Sequence, residues 1–342
     1  MTVIEEIDPT TASEADLLAW CEISAYVDSE QRPGEVERPL ESLRLYYVHP
    51  WANHVFRRWA ARDESGRLVG WCEANWRVGP DNPRAVGFTV EVLPDHRRRR
   101  VATALLRPAI EHARTNGRDL VTVEAVRNSD GAAFLTAHGF AEKMVDRRSV
   151  LDLTSLDLDA VEKWGRPGDD VLASYELVQW RDACPEQLVE ELALLRTAMN
   201  DAPREQLEWD DETWTPEMVR NSAAVSAARG DQAWTTCVRH LESGRLIALT
   251  DVVGPAAWDE WAFQEDTVVL ADHRGHGLGR WIKAANVAYL LADRPSTKAI
   301  ETWNAGSNRW MLAINDELGF VPATWWAEFQ VDLDILEQSL RL

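Results

Sequence analysis

Cysteine is scarce. The 342-residue chain has four, Cys21, Cys72, Cys184 and Cys237, far apart and with no Cys-x-x-Cys pair. That spacing offers neither a disulfide framework nor a metal-ligand cluster, and it reads as reduced thiols in a cytoplasmic protein. Long apolar runs are missing as well. No stretch of about 18 apolar residues occurs, so no membrane span is indicated, and residues 1–9 are acidic and lack the apolar centre of a secretory leader. Basic residues are in deficit, 36 Lys and Arg against 57 Asp and Glu, for a net charge of −21. A chain this acidic is a poor partner for nucleic acid. Its field favours cationic small molecules, although solubility alone also accounts for it.

What remains is the composition of a globular protein, 45% hydrophobic and 27% charged, long enough for about two domains. Tryptophan is abundant, with 17 residues. Most are expected in cores, and any in a cleft would suit an amine or an apolar acceptor.

One stretch has a chemical pattern, Glu265 to Lys283. A β-branched run, Thr267 to Leu270, reads as a strand, and an apolar 3.6-residue period begins after Gly279. Between them stand Arg274, Gly275, His276, Gly277, Leu278, Gly279 and Arg280. A strand, a glycine turn and a helix start together make an anion cradle. The first helical N–H groups have no internal partner, the helix dipole adds positive charge, and glycine lets the backbone close around a diphosphate. The order is Arg-x-x-Gly-x-Gly, neither a Walker loop nor a dinucleotide fingerprint.

The chain repeats itself. Gly66 maps to Gly244, Arg97 to Arg274, Asn128 to Asn308 and Gly139-Phe140 to Gly319-Phe320, at shifts of 177 to 180 residues. Four landmarks on one offset predict two copies of a single domain, each burying its own core. The boundaries read as residues 1–155 and 173–342, joined by a polar linker, 156–172, with Gly165, Pro167 and Gly168.

With these landmarks the chain resembles the GNAT superfamily of N-acetyltransferases, twice over, in the tandem architecture of the mycothiol-synthase kind. The resemblance implies an α/β fold of the α+β type, each domain a mixed, mostly antiparallel sheet with helices on both faces. It implies acetyl-CoA as cosubstrate, lodged between two parted strands. Backbone groups of Val268, Val269 and Leu270 would pair with the pantetheine arm, and Leu270 would give an oxyanion donor. The loop from Arg274 to Gly279, with Arg280, would hold the pyrophosphate, and Asn304 and Asn308 would reach the pantetheine amides. In the first copy the matching residues are Val92, Arg97, Arg99, Arg100 and Ala102. Arg100 stands where the family has glycine, so the first copy reads as a degenerate structural half or as a loose coenzyme A site that uses the extra cations, with a solvated basic face as the plain alternative.

Acetyl transfer to an amine needs a proton acceptor, and Glu265 and Glu301 are the candidates. By alternation Glu265 shares a face with Thr267 and Val269 while Asp266 points away. A strand-start glutamate that is merely solvated is the plain alternative. Many family members carry a tyrosine acid where this chain has Asn315, and Leu135 in the first copy; Asn315 could only hydrogen-bond near the sulfur. Asp201, Trp209, Asp210, Asp211, Trp214 and Trp258 are candidates for an acceptor pocket. The expected activity is N-acetylation of a small primary amine by a cytoplasmic monomer or homodimer, with no metal, nucleic acid or membrane partner. A protein-lysine acetyltransferase and a non-catalytic acyl-CoA sensor are the alternatives.

Overall fold

The computed structural model describes residues 2–341. In chain order the elements are β1 (Val3–Glu6), α1 (Glu14–Gln31), α2 (Leu40–Val48), β2 (His54–Arg62), β3 (Leu68–Arg77), β4 (Ala85–Val92), α3 (Val101–Thr115), β5 (Leu120–Val126), α4 (Asp130–Ala137) and β6 (Ala141–Asp152). There follow α5 (Leu158–Trp164), α6 (Asp169–Leu172), β7 (Tyr175–Arg181), α7 (Val189–Thr197), α8 (Pro216–Arg229), β8 (Asp231–His240), β9 (Leu246–Pro255), β10 (Trp261–Val269), α9 (Leu278–Asp293), β11 (Ala299–Ala305), α10 (Arg309–Leu318), β12 (Val321–Asp332) and α11 (Leu333–Leu340). The chain divides into two compact units. The N-terminal unit holds the described residues up to Asp146, then Arg204–Asp211, then those from Thr324 on; the C-terminal unit holds Arg147–Pro203 and Glu212–Ala323.

In the N-terminal unit β1 to β4 form an antiparallel run. Neighbouring residues alternate between two cores, as a strand requires. Ala60, Leu68 and Trp71 pack under α1 and α2 with Trp20 and Leu43, while Ala61, Val69 and Cys72 pack with Leu105, Ala109 and Ile110 of α3. Trp20 and Trp71 stack with centroids 4.4 Å apart. Helix α1 starts where Ser13 Oγ accepts the Asp16 amide at 3.1 Å.

The strand beside β5 is β12, antiparallel from Leu120↔Asp332 to Val126↔Trp326. Helix α11 follows it, and Leu333, Leu336 and Leu340 fill the same core as Phe140. In the C-terminal unit the corresponding place beside β11 is taken by the end of β6, where the Leu153 amide donates to the Lys298 carbonyl at 2.8 Å. The first division between the compact units falls inside β6, between Asp146 and Arg147.

The C-terminal unit repeats the plan. Strands β7 to β10 are antiparallel. Helices α7 and α8 cover one face through Leu192, Leu195 and Val219, and α9 the other through Ile282, Ala284, Val287 and Leu290. The expected linker is not plain coil: Asp157 caps α5, whose Val161 is buried with Val287 and Leu290.

Candidate active site

In the C-terminal unit β10 and β11 pair in parallel for three residues, Trp261↔Ala299 to Phe263↔Glu301, and then part. β10 runs on against β9 alone, and its register slips between Gln264↔Val252 and Thr267↔Thr250. One extra residue has entered β10, which is a bulge. Beyond it the Leu270 amide donates to the Ile247 carbonyl at 2.9 Å. Alternation along an antiparallel ladder then turns the amides of Val269 and Thr267 to the other edge, the one that β11 has left. The donor expected at Leu270 is thus engaged inside the sheet, and Val269 has the free one.

The cradle follows. After a single turn over Ala271–His273, Gly275 (φ 86°) and Gly277 (φ 74°) take the left-handed conformation, and a Cβ on either would meet nothing within 4 Å. The amides of residues 275–280 donate to no group among the described residues; the first helical bond runs from the Trp281 amide to the Gly277 carbonyl, 3.2 Å. Six donors around open space at a helix start is the geometry that binds a diphosphate. Gly279 serves packing, because a Cβ there would lie 3.2 Å from Ile314 Cδ1. The arginines are engaged elsewhere. Arg274 Nε donates to the Val269 carbonyl at 2.8 Å and its Nη2 pairs with Asp201 at 2.7 Å, while Arg280 pairs with Glu317 at 2.5 Å. Arg274 ties the loop to its strand, and Leu278 is buried. His276 is exposed, its ring 5.9 Å from Tyr175.

The N-terminal unit keeps the same backbone. β4 and β5 pair over Ala85, Val86 and Gly87 and then part. Arg97 Nε donates to the Val92 carbonyl at 2.8 Å, and the Leu93 amide to Val69 at 3.0 Å. Arg98 (φ 60°) and Arg100 (φ 62°) hold the conformation of the two glycines, and no hydrogen bond ends on the amides of residues 98–103 among the described residues. Ala102 follows in the first turn of α3, and the side chains of Arg99 and Arg100 are exposed. The degeneracy expected of this loop is a matter of side chains and not of shape. What differs is the strand: β4 pairs with β3 in unbroken register and has no bulge.

The bulge carries Glu265 and Asp266. Glu265 is exposed to solvent, yet desolvation by the surrounding protein pushes its carboxyl up to about 8, helped by repulsion from Asp251 and Asp266. Asp266 does not point away as strict alternation predicts. It forms an ion pair with Arg196 of α7, which also pairs with Asp251 of β9 at 2.7 Å. Burial works against the charge on Arg196, but the two aspartates hold its proton affinity above the ordinary value.

Glu301 is not available for proton transfer. It is 1% exposed, its Oε2 accepts from Arg148 at 2.9 Å and from Trp261 Nε1 at 3.1 Å, and its Oε1 from Trp303 Nε1 at 2.8 Å. The carboxylate is saturated and anchors the start of the parting strands. Asn315 is fully buried, bridging Lys283 Nζ (2.7 Å) and Asn304 Oδ1 (2.7 Å). Asn308 caps α10 by accepting the Met311 amide at 3.3 Å; its partner by this role is Ser129, which accepts the Ala132 amide, one residue beyond the expected Asn128. Lys283, 1% exposed, has its pKa lowered to about 7 by burial.

Of the expected acceptor residues, Asp201 pairs with Arg274, Trp214 lies under Arg196 at 5.2 Å, and Trp258 is buried against Trp261. Trp209, Asp210 and Asp211 belong to the N-terminal unit. Sequence reasoning missed Arg196, Asp251, Lys283 and Arg148. Two had a signal, a lone charge inside an apolar strand for Asp251 and inside an apolar helix face for Lys283. No group of three or more side chains suited to a metal ion occurs among the described residues, and none of their helices is long and apolar enough to cross a membrane.

A parted parallel strand pair over an amide cradle is the arrangement that the resemblance to acyl-CoA-dependent acetyltransferases implies. The sequence model of the acetyltransferase (GNAT) family matches residues 23–140, in the copy whose loop departs at Arg100. An uncharacterized N-acetyltransferase of Methanocaldococcus jannaschii is 34% identical over 113 residues, 29% of this chain; the chain spans about half the length of that relative. Among solved structures, a tandem GNAT protein from the clavulanic acid biosynthesis pathway is 26% identical, with a TM-score of 0.81 over 97% of this chain and 99% of that one. A GCN5-related N-acetyltransferase from Sphaerobacter thermophilus shares the fold at 12% identity, with a TM-score of 0.64 over 97% and 96% of the two chains. Residues 23–140 thus match the GNAT family, and over nearly its whole length the chain is similar to a tandem GNAT protein.

Proposed function

We propose that the C-terminal unit transfers an acetyl group from acetyl-CoA to the primary amine of a small molecule, with Glu265 as proton acceptor. The observation that carries this reading is the position of Glu265, a solvent-reached carboxyl raised to about 8, on the bulge where β10 leaves β11. The N-terminal unit has no equivalent, since Phe88 and Thr89 occupy that part of an unbulged β4.

Bound in the slot, acetyl-CoA supplies the activated acyl group. The amides of residues 275–280 hold its diphosphate. The edge of β10 presents the Thr267 and Val269 amides, as to an added strand, and the Val269 N–H is the donor for the acyl oxygen. Asn304 gives its Oδ1 to Asn315 and keeps its Nδ2 for an amide carbonyl. Ionised Glu265 takes the proton of the incoming ammonium, and an acceptor near 8 suits an amine at neutral to mildly basic pH. No acid stands at Asn315, so the proton on the leaving side comes from water. The four free cysteines support a cytoplasmic setting.

The test is Glu265→Gln with an amine panel, read by thiol release and by calorimetric binding of acetyl-CoA. The expected result is intact binding with turnover lowered about 10²–10⁴-fold; unchanged turnover overturns the assignment of Glu265. A non-catalytic acyl-CoA sensor is the second reading, favoured by the missing acid at Asn315. Binding without thiol release for any amine selects it.

A further inference from the structure

Lys283 sits in the second turn of α9, 1% exposed, and no carboxylate pairs with it among the described residues. Its Nζ makes one hydrogen bond there, to Asn315 Oδ1 at 2.7 Å, with the Phe320 ring centroid 5.4 Å away. Asn315 is fully buried and donates its Nδ2 to Asn304 Oδ1 at 2.7 Å. Asn304 is half-buried on β11, three residues past the last pair with β10, and its Nδ2 has no partner among the described residues. A buried amine with so few acceptors is costly, and the fold does not need it. Counted from the helix start, the helix end and the last paired residue, the N-terminal unit has Leu106, Leu135 and Ala125 at these three places, all in its apolar core.

An ammonium has donors only, whereas a side-chain amide has an accepting end and a donating end. Lys283 therefore obliges Asn315 to turn its oxygen inward. The Asn315 nitrogen then meets the Asn304 oxygen, and the Asn304 nitrogen is the end left over. We propose that Lys283 is a positioning residue that fixes, through Asn315, the donating end of Asn304 toward the parted strands, so that this point of the C-terminal slot accepts an amide carbonyl of the pantetheine arm. This rests on the acetyl-CoA reading above for the ligand, but not on the transfer step. With both amides turned the other way, Asn304 would offer an oxygen to that carbonyl, and two acceptors would face each other unpaired.

The test is Asn315→Asp in the full chain, read by calorimetric binding at about pH 6, where Lys283 holds its proton. The ligands are acetyl-CoA and adenosine 3′-phosphate 5′-diphosphate, which lacks pantetheine, and the binding counted is the component that Gly277→Glu removes. The new carboxylate still pairs with Lys283 but has no N–H, so Asn304 must turn its own nitrogen inward. Acetyl-CoA is expected to bind at least about tenfold more weakly, with the nucleotide unchanged and with no further loss when Asn315→Asp is added to Asn304→Ala. Should Asn315→Asp not fold, Lys283→Leu with Asn315→Leu, which copies the apolar pair of the N-terminal unit, is expected to show the same selective loss. Unchanged acetyl-CoA affinity, an equal loss for both ligands, or a loss that persists in the Asn304→Ala background overturns the proposal. Selective loss without thiol release from any amine counts against transfer and leaves the positioning role standing, whereas thiol release with an affinity indifferent to Asn315→Asp does the reverse.

Discussion

Arg100 and Gly277 hold one backbone conformation, φ 62° and 74°, at the same point of their two cradles. A left-handed arginine costs roughly 1–2 kcal/mol, and glycine returns part of that through the entropy of the unfolded chain. Arg100→Gly is therefore expected to change stability by no more than about 1 kcal/mol, whereas Gly277→Ala loses about 1 kcal/mol without any clash, as urea unfolding would show. Gly277→Glu puts a carboxylate among the free amides and is expected to abolish acetyl-CoA binding in the C-terminal unit, with Arg100→Glu having the smaller effect. Equal losses by calorimetry would remove the asymmetry between the copies.

Glu265 makes activity depend on pH in a fixed direction. In the proposed role it accepts a proton only when ionised, so turnover is expected to climb as pH rises through about 8, and Glu265→Gln to flatten that limb. The raised carboxyl also links to folding. Its stabilisation is present below the unfolded value of 4.5 and is lost as pH rises through about 8. Wild type should lose ground against Glu265→Gln over that window in paired unfolding curves.

Lys283 has the opposite sign. Its folded pKa is lowered, so between about 7 and 10.5 the unfolded chain holds a proton that the native state does not. Stability from this group rises with pH across that interval. Lys283→Met should remove this rising component, and a parallel pH dependence in the variant would show that Lys283 is charged in the fold.

Arg148 and Glu301 are both fully buried and joined at 2.9 Å. Arg148→Met leaves a shielded carboxylate short of its cation and is expected to cost about 3–5 kcal/mol. Adding Glu301→Gln should recover much of it. Additive losses in the double variant would mean that the pair is not coupled.

Much of the fold was legible. The fourfold offset identified the duplication, and the Arg-x-x-Gly-x-Gly stretch identified the cradle, because glycine at left-handed φ leaves a trace in the sequence. The bulge left none: Gln264 to Thr267 reads as plain strand, and only the pairing with β9 shows the extra residue that swings Asp266 toward Arg196. Glu301 looked like a second base because its three donors, Arg148, Trp261 and Trp303, come from three separate stretches.

The residue order by itself determined two copies of one α/β plan and the glycine turn between strand and helix in the second. Which strand completes which sheet was a tertiary decision. β6 and β12 occupy equivalent places in the repeat, so local pattern cannot tell one partner from the other. The same holds for charge: Asp251 and Arg196 are distant from Glu265 in the sequence, and their effect on it exists only where folding brings them together.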